Sequence, residues 1–84
     1  MVSCQFSFYP LRQPELSLAL DAALDAFRVE GLTPKVGAMS SYVEGDEETV
    51  FRGLRQAFQA VAITGAVVLV ATVSNACAVD GPGG

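Results

Sequence analysis

Along this chain the hydrophobic pattern switches between a period of two and one of about 3.6 residues, and the order of the switches leaves few folds open. From Val2 to Tyr9 it alternates. Val2, Cys4, Phe6 and Phe8 fall on one side and Ser3, Gln5, Ser7 and Tyr9 on the other, which predicts a strand with one polar face. Pro10 stops that strand, while Pro14 suits the first turn of a helix, where its missing N–H would have had no partner. A helix is therefore expected to begin near Gln13. From Glu15 to Glu30 the apolar residues Leu16, Leu20, Ala23, Leu24 and Phe27 recur every three or four positions, with Asp21 and Asp25 on the far side and Gly31 as the terminator.

The next stretch predicts two short strands, Thr33 to Gly37 and Met39 to Glu44, turning near Gly37 to Met39. Asp46 is a good N-cap, and Glu47 and Glu48 would meet the positive end of a second helix. Val50, Phe51, Leu54, Phe58 and Val61 form that helix's predicted core stripe, with Arg52, Arg55 and Gln59 toward water and Gly65 at its end. Ala66 to Cys77, the most β-branched run, predicts a long final strand. Strand, helix, strand, strand, helix, strand is the α+β ferredoxin-like βαββαβ order: a four-stranded antiparallel sheet with two helices on one face. Its first and last strands are antiparallel neighbours, so Cys4 and Cys77 are expected close together; the pattern leaves open whether they are bonded. One domain is expected over residues 1–79, with 80–84 as a flexible C-terminal tail.

Composition narrows the function classes. At 84 residues the chain has room for one core, yet 51% of it is hydrophobic and only 17% charged, so part of its surface is expected to be covered by another subunit. The net charge of -4, with no basic cluster, disfavours a nucleic-acid partner. Ala60 to Val79 is apolar enough to suggest a membrane span, but Gly65, Thr72, Ser74 and Asn75 interrupt it and its centre is β-branched; no membrane insertion is expected. Two cysteines make neither a disulfide framework nor a zinc site, and the start of the chain does not read as a secretion signal, so a cytoplasmic location is expected.

There is no histidine, the commonest general base. Lys35 stands in no nucleophile motif, no glycine run cradles phosphate, and Cys77 has no flanking cation to activate it. Asp46, Glu47 and Glu48 read as a helix start. The expectation is a protein that is not an enzyme and carries neither cofactor nor metal.

Two helices cover only one face of such a sheet. Period-two alternation assigns to the other face Ser3, Gln5, Ser7 and Tyr9, Ser41 and Val43, and Val68, Val70, Thr72 and Ser74, a surface half apolar and half rich in hydroxyls. An apolar patch of that size predicts packing on a second copy, giving a homo-oligomer through the open face. Buried hydroxyls need partners, and a small heteroaromatic ligand with donors and acceptors would supply them, with Ser7, Ser41 and Gln5 as candidates. Tyr9 and Tyr42 could stack on such a ring or attract a cationic one. The competing reading is that these hydroxyls bond one another, backbone or water across a subunit interface.

Four segments then carry a resemblance: Cys4-Gln-Phe-Ser-Phe-Tyr-Pro10, Ser41-Tyr-Val-Glu-Gly-Asp46, Val50-Phe51 and Ser74-Asn-Ala-Cys77. Together, over about residues 3–78, they resemble the YkoF-like thiamine- and hydroxymethylpyrimidine-binding family. The resemblance implies a non-catalytic ligand-binding domain for thiamine or its hydroxymethylpyrimidine moiety, with the ligand near Ser7 and Ser41. Gln5, Tyr9, Thr72 and Ser74 complete the candidate binding set. The family's better-known member is similar to two such units in tandem, so a single unit implies a homodimer or larger assembly. Ala78 departs from the family, in which proline often follows the Asn-Ala-Cys run. The alternative function is an oligomeric structural or allosteric interaction domain with no thiamine-related ligand.

Overall fold

A computed structural model describes residues 1–11 and 16–76. The expected helix start at Gln13 and Pro14, Cys77 and the 80–84 tail lie outside the described residues. The elements are β1 (Val2–Pro10), α1 (Leu16–Val29), β2 (Lys35–Val36), β3 (Ser41–Gly45), α2 (Glu47–Ala62) and β4 (Val67–Ser74), in the predicted order. The sheet runs β2-β3-β1-β4 with every pairing antiparallel, so the fold is ferredoxin-like.

Local chemistry accounts for most boundaries. At the end of α1 the Leu32 N–H reaches back to the Phe27 carbonyl at 3.1 Å and the Gly31 N–H to the Arg28 carbonyl at 2.9 Å. This Schellman closure needs a left-handed residue, and Gly31 supplies it at φ 86°. At the start of α2 the Asp46 carboxylate accepts from the Thr49 backbone N–H and hydroxyl, both at 3.3 Å. The β2–β3 hairpin turns over Ala38 and Met39, closed by the Gly37 N–H donating to the Ser40 carbonyl at 2.9 Å. β2 is far shorter than the predicted Thr33 to Gly37, and β4 stops at Ser74 rather than Cys77.

The core lies between the helices and one sheet face, built on Cys4, Phe6, Val43, Phe27, Val50, Ala57 and Val61. Phe6 stacks on Phe27 with ring centroids 4.6 Å apart. The predicted α2 stripe is rotated: Phe51 and Phe58 are 50% and 39% exposed, while Gly53 and Ala57 are buried in their stead. The helices meet too closely for a larger residue. A Cβ at Gly53 would lie 2.8 Å from Phe27 Cδ1. On α1 the predicted Leu20 is similarly displaced, 37% exposed, and Ala19 takes the core position. Arg52 Nε donates to Glu30 Oε1 at 2.7 Å, tying the second helix to the end of the first and raising the guanidinium pKa further.

Register overturns one prediction. Phe6 pairs with Ser41 and Cys4 with Val43, and residues paired across an antiparallel ladder share a face. Ser41 and Val43 therefore face the helices rather than the open side, and Val43 is 0% exposed. In β3 it is Tyr42 and Glu44 that join the open face. The phase follows from burial: Val43 is the strand's one purely aliphatic side chain, and Glu44 must reach water.

Candidate ligand-binding surfaces of the sheet

The open face brings together Ser3, Gln5, Ser7 and Tyr9 of β1, Tyr42 and Glu44 of β3, and Val68, Val70, Thr72 and Ser74 of β4. Five of the six candidates, Gln5, Ser7, Tyr9, Thr72 and Ser74, are on it as expected; Ser41 is not. Ser7 and Ser41 stand on opposite sides of the sheet and cannot clasp one molecule on the open face.

The polar half of this face is already hydrogen-bonded. Gln5 Nε2 donates to Ser40 Oγ at 3.0 Å, and the Tyr42 hydroxyl donates to Glu44 Oε1 at 2.6 Å while lying 3.3 Å from Ser3 Oγ. Ser74 Oγ accepts from the Ala76 N–H at 3.0 Å, which turns the chain after β4. Ser7 is held more loosely, its hydroxyl 3.5 Å from the Met39 carbonyl, at the outer limit of a hydrogen bond. The apolar half is Tyr9, Val68 and Val70, about half exposed and adjacent in register. The surface has donors and a greasy strip.

Ser41 has a different setting. It borders a cavity of about 80 Å³ between α1 and the sheet, whose walls are Phe6 and Phe8 below and Leu20, Ala23 and Leu24 above, with Val36 at the hairpin side. Phe8 meets Phe6 edge to face, centroids 5.9 Å apart, so the floor is aromatic. Among the described residues the Ser41 hydroxyl has no side-chain hydrogen-bond partner, and it is the cavity's one polar lining residue. An engineered apolar cavity that admits benzene measures about 150 Å³, so a six-membered ring would need the walls to part. Leu20 and Val36, the exposed wall residues, can yield at least cost.

The sequence reading missed this cavity and the roles of Ser40, Tyr42 and Glu44 as open-face partners. The signal that would have found them is Val43: once it is assigned to the core, Ser41 goes inward with it and Tyr42 outward. No helix among the described residues is long and apolar enough to cross a membrane.

A four-stranded antiparallel sheet with both helices on one side places the chain among the compact α+β ferredoxin-like folds. The chain belongs to the YKOF-related family, whose model matches residues 1–80. No curated protein matches it. Among solved structures, a domain of unknown function, DUF77, from Bacillus cereus is similar at 25% identity and a TM-score of 0.75, over 87% of this chain and 73% of that one. A hypothetical protein from Methanocaldococcus jannaschii aligns at 21% identity and a TM-score of 0.81, over 94% of this chain and 84% of that one. A candidate thiamine biosynthesis/salvage protein from Thermotoga maritima aligns at 19% identity and a TM-score of 0.73, over 86% of this chain and 80% of that one.

Proposed function

We propose that this protein is a non-catalytic binding module for thiamine or its hydroxymethylpyrimidine moiety, and that the pyrimidine ring enters the cavity at Ser41. The observation that carries the reading is a hydroxyl with no hydrogen-bond partner among the described residues beside an aromatic-floored cavity, since ligand sites are mostly apolar with a few placed polar groups. Membership of the YKOF-related family supports it, as does likeness to the thiamine biosynthesis/salvage candidate. In this reading Phe6 and Phe8 lie against the ring, Ser41 bonds a ring nitrogen or the exocyclic amine, and Leu20 and Val36 move aside. Ser7, Gln5, Tyr9, Thr72 and Ser74 then act on the other face, outside the ring's reach.

A ligand that binds only the folded chain stabilises it by RT ln(1 + [L]/Kd), about 2.7 kcal/mol at a hundredfold excess over Kd. Thermal melting with thiamine and with hydroxymethylpyrimidine is expected to show a transition rising with the logarithm of ligand concentration. Ser41→Ala removes one neutral hydrogen bond, worth about 1 kcal/mol, and is expected to weaken binding roughly fivefold; Ser7→Ala leaves it unchanged. If neither compound moves the transition of the folded protein, the reading fails. If Ser7→Ala is the damaging variant, the ligand sits on the open face.

The exposed strip of Tyr9, Val68 and Val70 favours a second reading, in which the open face packs on another copy and the domain serves assembly or allostery without a thiamine-related ligand. It predicts no ligand-dependent melting and an oligomer that a lysine at Tyr9 dissociates.

A further inference from the structure

One wall of the Ser41 cavity is held far less firmly than the others. Val36 supplies it, standing directly across the ladder from Ser41 and therefore on the same, helix-side face. β2 is two residues long, neighbours β3 and no other described element, and leaves its far side bare. The ladder between β3 and β1 ends at the Phe6–Ser41 pair, so the turn over Ala38 and Met39, with Ser40, reaches past the last backbone pairing. Packing does not fix the turn either, since Met39 is 90% exposed.

Two side chains bridge that gap, and both act from the opposite face of the sheet. Gln5 Nε2 donates to Ser40 Oγ at 3.0 Å, and the Ser7 hydroxyl reaches the Met39 carbonyl at 3.5 Å. The alternation of β1 accounts for the arrangement. Phe6 and Phe8 floor the cavity, while their neighbours Gln5 and Ser7 point the other way and meet the turn that borders it. One strand thus carries the floor on one face and the ties of the wall on the other.

We infer that residues 35–40 form a gate over the Ser41 cavity, and that Gln5 and Ser7 are positioning residues that latch it shut. The inference rests on the binding role proposed for that cavity, and it gives the open face a part in binding without contact to the ligand. Opening pivots the segment between two firm points: Leu32, buried and bonded to the Phe27 carbonyl, and Ser41, held by the ladder to Phe6. The two latches and the short β2 pairing part, and no core side chain moves. A cavity of about 80 Å³ is below the size that admits a six-membered ring, so the ring enters through a wall that yields. Leu20 belongs to a helix of 14 residues and Val36 to a strand of 2, so the strand is the element that swings. The latches set how often the gate opens, while the closed, filled state keeps its contacts. Weakening a latch therefore raises entry and exit rates together and leaves the affinity where it was.

The test uses a labelling probe that needs no ligand. Ala23→Cys, in a Cys77→Ser background, places a thiol in the cavity roof, and its reaction with methyl methanethiosulfonate reports gate opening. Cys4, buried at the centre of the sheet, reacts in the same sample only when the whole fold opens and serves as the reference. Gln5→Leu removes one neutral hydrogen bond and is expected to raise labelling of Ala23→Cys roughly fivefold with Cys4 labelling unchanged. Ser40→Ala is expected to do the same, and the double variant to add nothing further, because both delete one bond. Ser7→Ala, at the longer bond, gives a smaller rise. With hydroxymethylpyrimidine as the probe, stopped-flow association and dissociation are both expected to quicken about fivefold in Gln5→Leu at unchanged Kd, which a merely structural role would not produce. Unaltered labelling in Gln5→Leu overturns the gate, as does a parallel rise at Cys4, which would mean that the sheet itself has loosened. Should Ala23→Cys fail to fold, methyl relaxation dispersion at Val36 decides: exchange that is the same in the unaltered protein and in Gln5→Leu overturns the inference. If labelling responds while hydroxymethylpyrimidine never binds, the gate stands and the ligand proposed for it falls.

Discussion

Cys4 is fully buried in the centre of the sheet, with Val43 on one side and Val73 on the other. Burial pushes its thiol pKa up from 9.0 to about 11, since the thiolate would lose its hydration there. Below about pH 9 the thiol is protonated whether the chain is folded or unfolded, and its full contribution to stability is present. Between 9 and 11 the unfolded chain releases the proton while the folded chain keeps it, so stability falls as pH rises through this window. A two-unit shift corresponds to roughly 3 kcal/mol by the upper end. Urea unfolding at pH 8 and at pH 10.5 is expected to show this loss in the wild type and not in Cys4→Ala, which shares every other titrating group. Equal losses in both proteins would place the thiol outside the dry core.

Among the elements, the contact of α1 with α2 shows how packing overrides a periodicity reading. Large side chains drew the predicted stripe toward Phe51 and Phe58, but the helices approach along Gly53 and Ala57. Alanine at position 53 gains about 1 kcal/mol in helix propensity, yet its Cβ would lie 2.8 Å from Phe27 Cδ1 and 3.2 Å from Leu32 Cδ1. Phe27 cannot retreat, because it is fully buried and stacked on Phe6. Overpacking costs typically 1–3 kcal/mol, so Gly53→Ala is expected to destabilise by about 1 kcal/mol net, measured as a lower urea midpoint at constant slope. A raised midpoint would mean that the helices have slack between them.

The same contrast explains what could be read from the residues beforehand. β1 was legible because its alternation is unbroken from Val2 to Tyr9, and the α2 start because Asp46 and two acids state it chemically. The phase of β3 was not, since Ser41, Tyr42 and Gly45 suit either face and only Val43 decides; the cavity at Ser41 was hidden with it. Close helix contact at Gly53 was equally silent, as a glycine inside a helix reads as a weakness until its neighbour is known.

For the whole molecule, strand order sets where the backbone is held and where it is open. From Ser3 to Phe6 β1 is paired on both sides, by β3 and β4, so these residues are expected to exchange amide hydrogens only on global unfolding. β2, two residues long and at the opposite edge from β4, should exchange first. β4 is expected to show an alternating pattern. The Leu11 N–H donates to the Ala66 carbonyl, and bonded pairs alternate from there, so Val68, Val70 and Thr72 bond to β1 and stay protected, whereas Leu69, Ala71 and Val73 face outward and exchange early. Amide exchange followed residue by residue by NMR tests this alternation. Uniform protection along β4 would contradict the ladder phase set by Leu11 and Ala66.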